Sequence, residues 1–192
     1  MSLMKPSWIV FVGGSSGSGK TTIAMAVAQA HKSVRYVSAS GLIREAQGLS
    51  SSSTRSAATD GQQAEAFQAI IVERFAQYRA AGGDPILLDG HFVVPTASGF
   101  HAISPHIFAA LGCEALILVE TAAETVFDRL RTRESVGWNG SIGAVHEASN
   151  SERLHMEYVA RTLQIPAAKI DSAAPRADTR LWQAIEGLRS KG

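Results

Sequence analysis

Residues 13–22 read GGSSGSGKTT, and they directly follow the apolar run Trp8 to Val12. Four glycines, five hydroxyl side chains and one lysine bury little, and the glycines cost chain entropy, so packing does not explain the stretch. It offers many N–H donors with few Cβ atoms in the way, plus hydroxyls and one ammonium. Gly14 to Thr21, G-S-S-G-S-G-K-T, fits G-x-x-x-x-G-K-[ST], the P-loop pattern, whose backbone N–H groups cradle phosphates. The expected ATP-binding residues are therefore Gly14, Ser15, Ser16, Gly17, Ser18, Gly19, Lys20, Thr21 and Thr22. The Lys20 ammonium would bridge the β- and γ-phosphates, and the Thr21 hydroxyl would ligate Mg²⁺, the expected cofactor.

Other groups could join that chemistry. Asp89 closes the apolar run Ile86 to Leu88. A carboxylate there can hold Mg²⁺ through water, orient an acceptor, or take a proton from an acceptor hydroxyl. Thr21 and Asp89 form the expected metal pair, and His91, two residues on, is expected to touch the acceptor. Arg129, Arg131 and Arg133 precede a glycine-rich flap, Glu134 to Gly143, which suits guanidinium groups carried on a closing segment. Lys20, Asp89, Arg131 and Arg133 make up the expected catalytic set, with Arg153 and Arg161 as further lid candidates. His101, His106 and His155 show no ligand spacing and read as structural.

The elements that must position these groups alternate. Strands are expected at Trp8–Val12, Val34–Ser38, Ile86–Leu88, Ala115–Val119 and in AAKIDS. Helices are expected over Thr21–His31, Gly41–Ala46, Gln63–Ala80 and Ser104–Leu111, and in an amphipathic segment carrying Leu181, Trp182, Ile185 and Leu188. Two further helices would open at capping boxes, Thr121 with Glu124 and Ser149 with Glu152. The long helix would bury Phe67, Ile70, Ile71, Phe75 and Tyr78 and stop at Gly82–Gly83. GLSSSSTRSAATDG has no periodicity and reads as a mobile loop. This alternation predicts an α/β fold of the P-loop NTPase type: a parallel sheet of about five strands with helices on both faces, plus small acceptor-binding and lid segments. Ligands in such sheets bind beyond the carboxyl ends of the strands.

Composition sets the outer bounds. The 192 residues suit one domain, 45% apolar and 18% charged, with a net charge of +1 that leaves no footprint for nucleic acid or a membrane surface. One cysteine, Cys113, beside an apolar run, reads as a buried inert thiol. No secretory signal is visible, so a cytoplasmic location is expected. Residues 5–192 are read as a single kinase-like domain, with 41–80 as the acceptor-binding segment and 134–148 as the lid. Met1 to Leu3, ahead of a second methionine, are read as a cloning remnant and set aside.

Val37 to Arg44, V-S-A-S-G-L-I-R, resembles I-S-T-G-D-L-L-R of the nucleoside monophosphate kinases, with Ser40 and Gly41 in place of the family's Gly-Asp. Arg55 and Gln62 resemble the arginine–glutamine pair of the archaeal-type adenylate kinases, and Asp89-Gly90-His91 resembles their Asp-Thr-His. LILVETAAETVFDRLRTRES resembles their fourth strand and arginine-bearing helix, in which Arg129 is the least matched arginine. His146 and Asn150 resemble their H-x-x-x-N, and Asp171 lies where related kinases wrap adenine with backbone groups. The likeness runs from Trp8 to about Asp171. It implies transfer from ATP to AMP giving two ADP, with Arg44, Arg55, Gln62 and His91 at the acceptor. Two alternatives stay open: a P-loop kinase acting on a hydroxyl of a sugar or antibiotic, with Asp89 as base, and a nucleotide-gated switch acting on a protein or ribonucleoprotein partner. The missing N/T-K-x-D motif argues against a GTPase.

Overall fold

A computed structural model describes residues 7–49, 60–80, 85–97, 99–133 and 140–190, without the Arg133 side chain. Three runs of apolar residues form strands covered on both faces: β1 (Ile9–Gly13), β3 (Ile86–Asp89) and β6 (Ala115–Glu120). With β2 (Arg35–Ser38) and β7 (Ala167–Asp171) they make one five-stranded sheet, ordered β2-β3-β1-β6-β7, with every pair parallel. The expected architecture is therefore present. Parallel neighbours need crossovers, and helices supply them.

Successive strand residues point to opposite faces, which divides the core in two. Ile9, Phe11, Ile86, Leu88, Leu116 and Leu118 face α3 (Gly61–Ala80), α4 (Pro105–Leu111) and α6 (Ile142–Leu163), meeting Phe75, Phe108 and Met156. Val10, Val12, Leu87, Ile117 and Val119 face α1 (Lys20–Ala30) and α7 (Ala177–Arg189), meeting Ile23, Val27, Leu181 and Ile185. Under the carboxyl end of β1, the rings of Phe11, Phe92 and Phe108 pack with centroids 4.9–5.7 Å apart. Short α2 (Ala39–Ala46) follows β2, and α5 (Ala123–Arg133) follows β6.

Several expectations are corrected. A hairpin of β4 (Val93–Thr96) and β5 (Gly99–Ala102) was not foreseen, because Pro95 speaks against a strand; it is tolerated in a two-stranded ribbon, where it is exposed. The Ser149–Glu152 capping box does not form. α6 starts at Ile142, with Ser141 Oγ accepting from the Ala144 N–H at 3.1 Å, and both residues lie mid-helix. The Thr121–Glu124 box is absent too: α5 begins at Ala123, and Thr121 Oγ1 is buried with no hydrogen-bond partner among the described residues. Tyr78 is exposed rather than buried. The Gly82–Gly83 stop, residues 50–59 of the expected mobile loop and residues 134–139 of the flap lie outside the described residues, and 142–148 are the first turns of α6. Among the described residues, no helix is long and apolar enough to cross a membrane.

Cys113 sits in the core against β6, and burial pushes its thiol up to about 12. Only the thiolate reacts with disulfide reagents. At pH 8 the native protein should therefore leave a chromogenic disulfide reagent unreacted, and the thiol should titrate fully once urea unfolds the chain. Fast native labelling would show that this core is open.

Candidate active site

The phosphate loop spans the turn from β1 to α1. Gly14 has φ 150°, and a Cβ there would fall 2.2 Å from the Val119 carbonyl oxygen, so only glycine lets the loop leave β1 this close to β6. Lys20 opens α1 and is 8% exposed. Three other elements hold the loop. Ser15 Oγ lies 3.2 Å from Ser149 Oγ of α6. Arg129 of α5 donates to the Gly17 carbonyl at 3.2 Å and to Ser172 Oγ at 3.3 Å. Ser172, just after β7, donates to the Ser18 carbonyl.

The carboxyl end of β3 meets the loop at Asp89. Register pairs Asp89 with Val12 on one side and Ser38 on the other. Its carboxylate is 5% exposed, and Oδ2 accepts from Thr21 Oγ1 at 2.6 Å and from Tyr36 OH at 2.7 Å. Burial, then the Asp89 charge, pushes the Tyr36 phenol far above its ordinary range, so it stays a donor. A hydroxyl beside one carboxylate is the donor set that magnesium takes together with nucleotide phosphates. Thr21 and Asp89 therefore fit the expected metal.

Beyond the end of β2 lies the side where the sequence places the acceptor. Ser38 caps α2 by accepting from the Gly41 N–H, its hydroxyl is 3.0 Å from Ser40 Oγ, and Arg44 Nη1 donates to Ser40 Oγ at 3.4 Å. His91 Nδ1 is 2.8 Å from Glu152 Oε1, whose other oxygen accepts from the Phe92 N–H at 2.7 Å. His155 Nε2 donates to the Ile103 carbonyl at 2.6 Å, fastening the far end of the hairpin segment to α6. A cavity of about 390 Å³ opens past the end of β6, lined by Glu120, Thr121, His146, Ser149, Asn150 and Arg153 among others.

A model of an AAA domain matches residues 13–138, from the phosphate loop through α5. The chain belongs to the AAA-domain family. Among solved structures, this AAA-domain chain is similar to a shikimate kinase from Acinetobacter baumannii in complex with shikimate, with TM-score 0.58 and 12% identity over 96% of this chain and 94% of that one. It is also similar to a gluconokinase from Sinorhizobium meliloti 1021, with TM-score 0.54 and 17% identity over 99% of both chains. A shikimate kinase from Aquifex aeolicus follows at TM-score 0.52 and 11% identity, over 96% of this chain and 99% of that one. At such identities the likeness shows the fold, which is that of the P-loop kinases. No curated protein sequence matches.

The structure gathers the loop residues, Asp89, Arg44 and His91 at the carboxyl edge of the sheet, and it leaves others elsewhere. Gln62 is exposed on the first turn of α3, and Arg55 lies outside the described residues. Arg131 is exposed and sits 3.8 Å from Asp128 on its own helix, whereas the less matched Arg129 reaches the loop. Arg161 lines a surface hollow beside Ala167, at the amino end of β7, the opposite edge from the phosphate loop. Asp171 is exposed, and its carboxylate accepts from the Ala173 N–H.

Sequence reasoning missed Tyr36, Ser172 and Glu152 as members of this site. For Glu152 a signal existed: with Val145, Met156 and Val159 it falls on the buried stripe of α6, where a charged residue needs a reason. Ser172 and Tyr36 carry no such mark.

Gly14 and Gly48 separate backbone strain from crowding. Both have positive φ, but a Cβ at Gly48 would meet nothing within 4 Å. Gly48→Ala should cost about 1 kcal/mol in urea unfolding and leave binding of a fluorescent ATP analogue unchanged. Gly14→Ala should cost more, about 1–3 kcal/mol from conformation alone, and weaken the analogue at least tenfold. Equal effects on binding would contradict the placement of Gly14 against Val119.

Proposed function

We propose that this chain transfers the γ-phosphoryl group of Mg·ATP to a small acceptor bound beside Arg44. The observation that supports it most is the 2.6 Å contact between the P-loop hydroxyl of Thr21 and the strand-end carboxylate of Asp89. Phosphoryl transfer is mostly positioning and charge stabilisation, and each part has a candidate here. Loop N–H groups and Lys20 hold the donor phosphates, and Arg129 and Ser172 keep the loop in shape. Thr21 and Asp89 would hold magnesium, which would supply charge neutralisation for the donor phosphates. Arg44, steadied by Ser40, offers a guanidinium to an anionic acceptor group.

The acceptor named by the sequence resemblance is a nucleoside monophosphate, AMP first, and Arg44 stands where the resemblance puts the phosphate-holding arginine. A hydroxyl acceptor is the second reading. One of the similar structures holds shikimate, and the pairing of His91 with Glu152 offers a proton acceptor that an ionised phosphate does not need.

A coupled assay following ADP release, run over AMP, CMP, UMP, GMP, sugars and hydroxy acids, tests the proposal. Acceptor-dependent release that vanishes in Lys20→Ala, with the fold retained, is the expected result. Release without any acceptor, unchanged in that variant, would refute it. Arg44→Ala removes a charge-assisted contact of roughly 1.5–3 kcal/mol, so the KM for an anionic acceptor should rise about tenfold to a hundredfold. The KM for ATP should move little. A two-substrate matrix showing both constants weakened equally would mean that the acceptor side is misplaced.

A further inference from the structure

Glu152 is 2% exposed, on the apolar stripe of a helix, beside a histidine whose side chain is 30% exposed. Burying a carboxylate is costly unless its oxygens are well used. Here both are: one faces His91 Nδ1 and the other takes the Phe92 N–H. With Nδ1 donating to Glu152 Oε1, the Nε2 lone pair is left open. Among the described residues no group bonds Nε2, and His91 lies two residues beyond Asp89 at the carboxyl end of β3. Asp89 is less suited to receive a proton, since it is 5% exposed and its Oδ2 already holds two donors.

We infer that the acceptor is a hydroxyl compound and that His91, held in this tautomer by Glu152, removes its proton. The inference rests on the phosphotransfer reading and chooses between its two acceptor classes. The hydroxyl oxygen bonds the γ-phosphorus, and the bond from that phosphorus to the β–γ bridging oxygen breaks. The hydroxyl proton passes to His91 Nε2, and ADP leaves with the bridging electron pair. Glu152 balances the resulting imidazolium and is a positioning residue. A phosphate acceptor would leave this pair idle, because it arrives ionised. α6 adds a link: Ser149, one turn before Glu152, touches the phosphate loop, so one helix face steadies both sides of the site.

The test pairs kinetics with ¹⁵N NMR of His91 in the full chain. In the wild type the imidazole should show the Nδ1–H tautomer, and Glu152→Gln should populate the Nε2–H form. With a hydroxyl acceptor found in the ADP-release panel, His91→Ala should lower kcat about a hundredfold or more. Glu152→Gln should lower it about tenfold, with the KM for ATP unmoved. Because His91 is partly exposed, its variant keeps the test sound even if Glu152→Gln unfolds. A Glu152 that only supported the fold would change thermal stability and leave the tautomer alone, which would overturn the positioning role. Undiminished kcat in His91→Ala would overturn the proton transfer. Transfer to nucleoside monophosphates alone would overturn the hydroxyl acceptor while phosphotransfer stands. No transfer to either class would remove both.

Discussion

One carboxylate oxygen, Asp89 Oδ2, accepts hydrogen bonds from the phosphate loop and from a neighbouring strand. The arrangement works only if β1, β2 and β3 end level with one another, and the register keeps them so: Val12, Asp89 and Ser38 stand side by side. A slip of one residue would turn Asp89 to the other face of the sheet and leave a charge in the core. Parallel pairing, apolar strands and crossover helices all serve this alignment. The close fit of Gly14 against Val119 imposes the same condition on β6, so four strands are fixed relative to one loop.

Two packed faces keep that edge rigid. The aromatic trio of Phe11, Phe92 and Phe108 fills the space under β1 on one side, and the small and branched residues of α1 and α7 fill the other. Interiors of this density transmit displacement rather than absorb it. Polar groups then reach the loop from α5, from α6 and from the residue after β7. The loop is thus shaped before any nucleotide arrives, which is what charge stabilisation by fixed donors requires.

The sheet and the phosphate loop were legible because their signals are local: uninterrupted apolar runs, and a motif whose glycines have a steric reason. Arg44 was singled out by a family resemblance and His91 by its place just beyond β3, and the structure sets both near the carboxyl edge of the sheet. What escaped depends on contacts distant in sequence. Ser149 and Glu152 have the spacing of a helix start, and only tertiary packing shows that α6 began earlier and turned both inward. Arg131 and Arg129 look alike in the chain, yet they lie on different faces of α5, and only one points at the loop. Tyr36 passes for an ordinary strand residue until its hydroxyl is seen at Asp89.

The hairpin of β4 and β5 pairs with no strand of the main sheet and rests instead on α3 and α6. Its ladder is therefore independent of the register that holds Asp89 in place. Lengthening or trimming it would alter the wall beside His91 without disturbing the phosphate loop. Changes of length in this small ribbon are thus separable from the geometry that holds the phosphate loop.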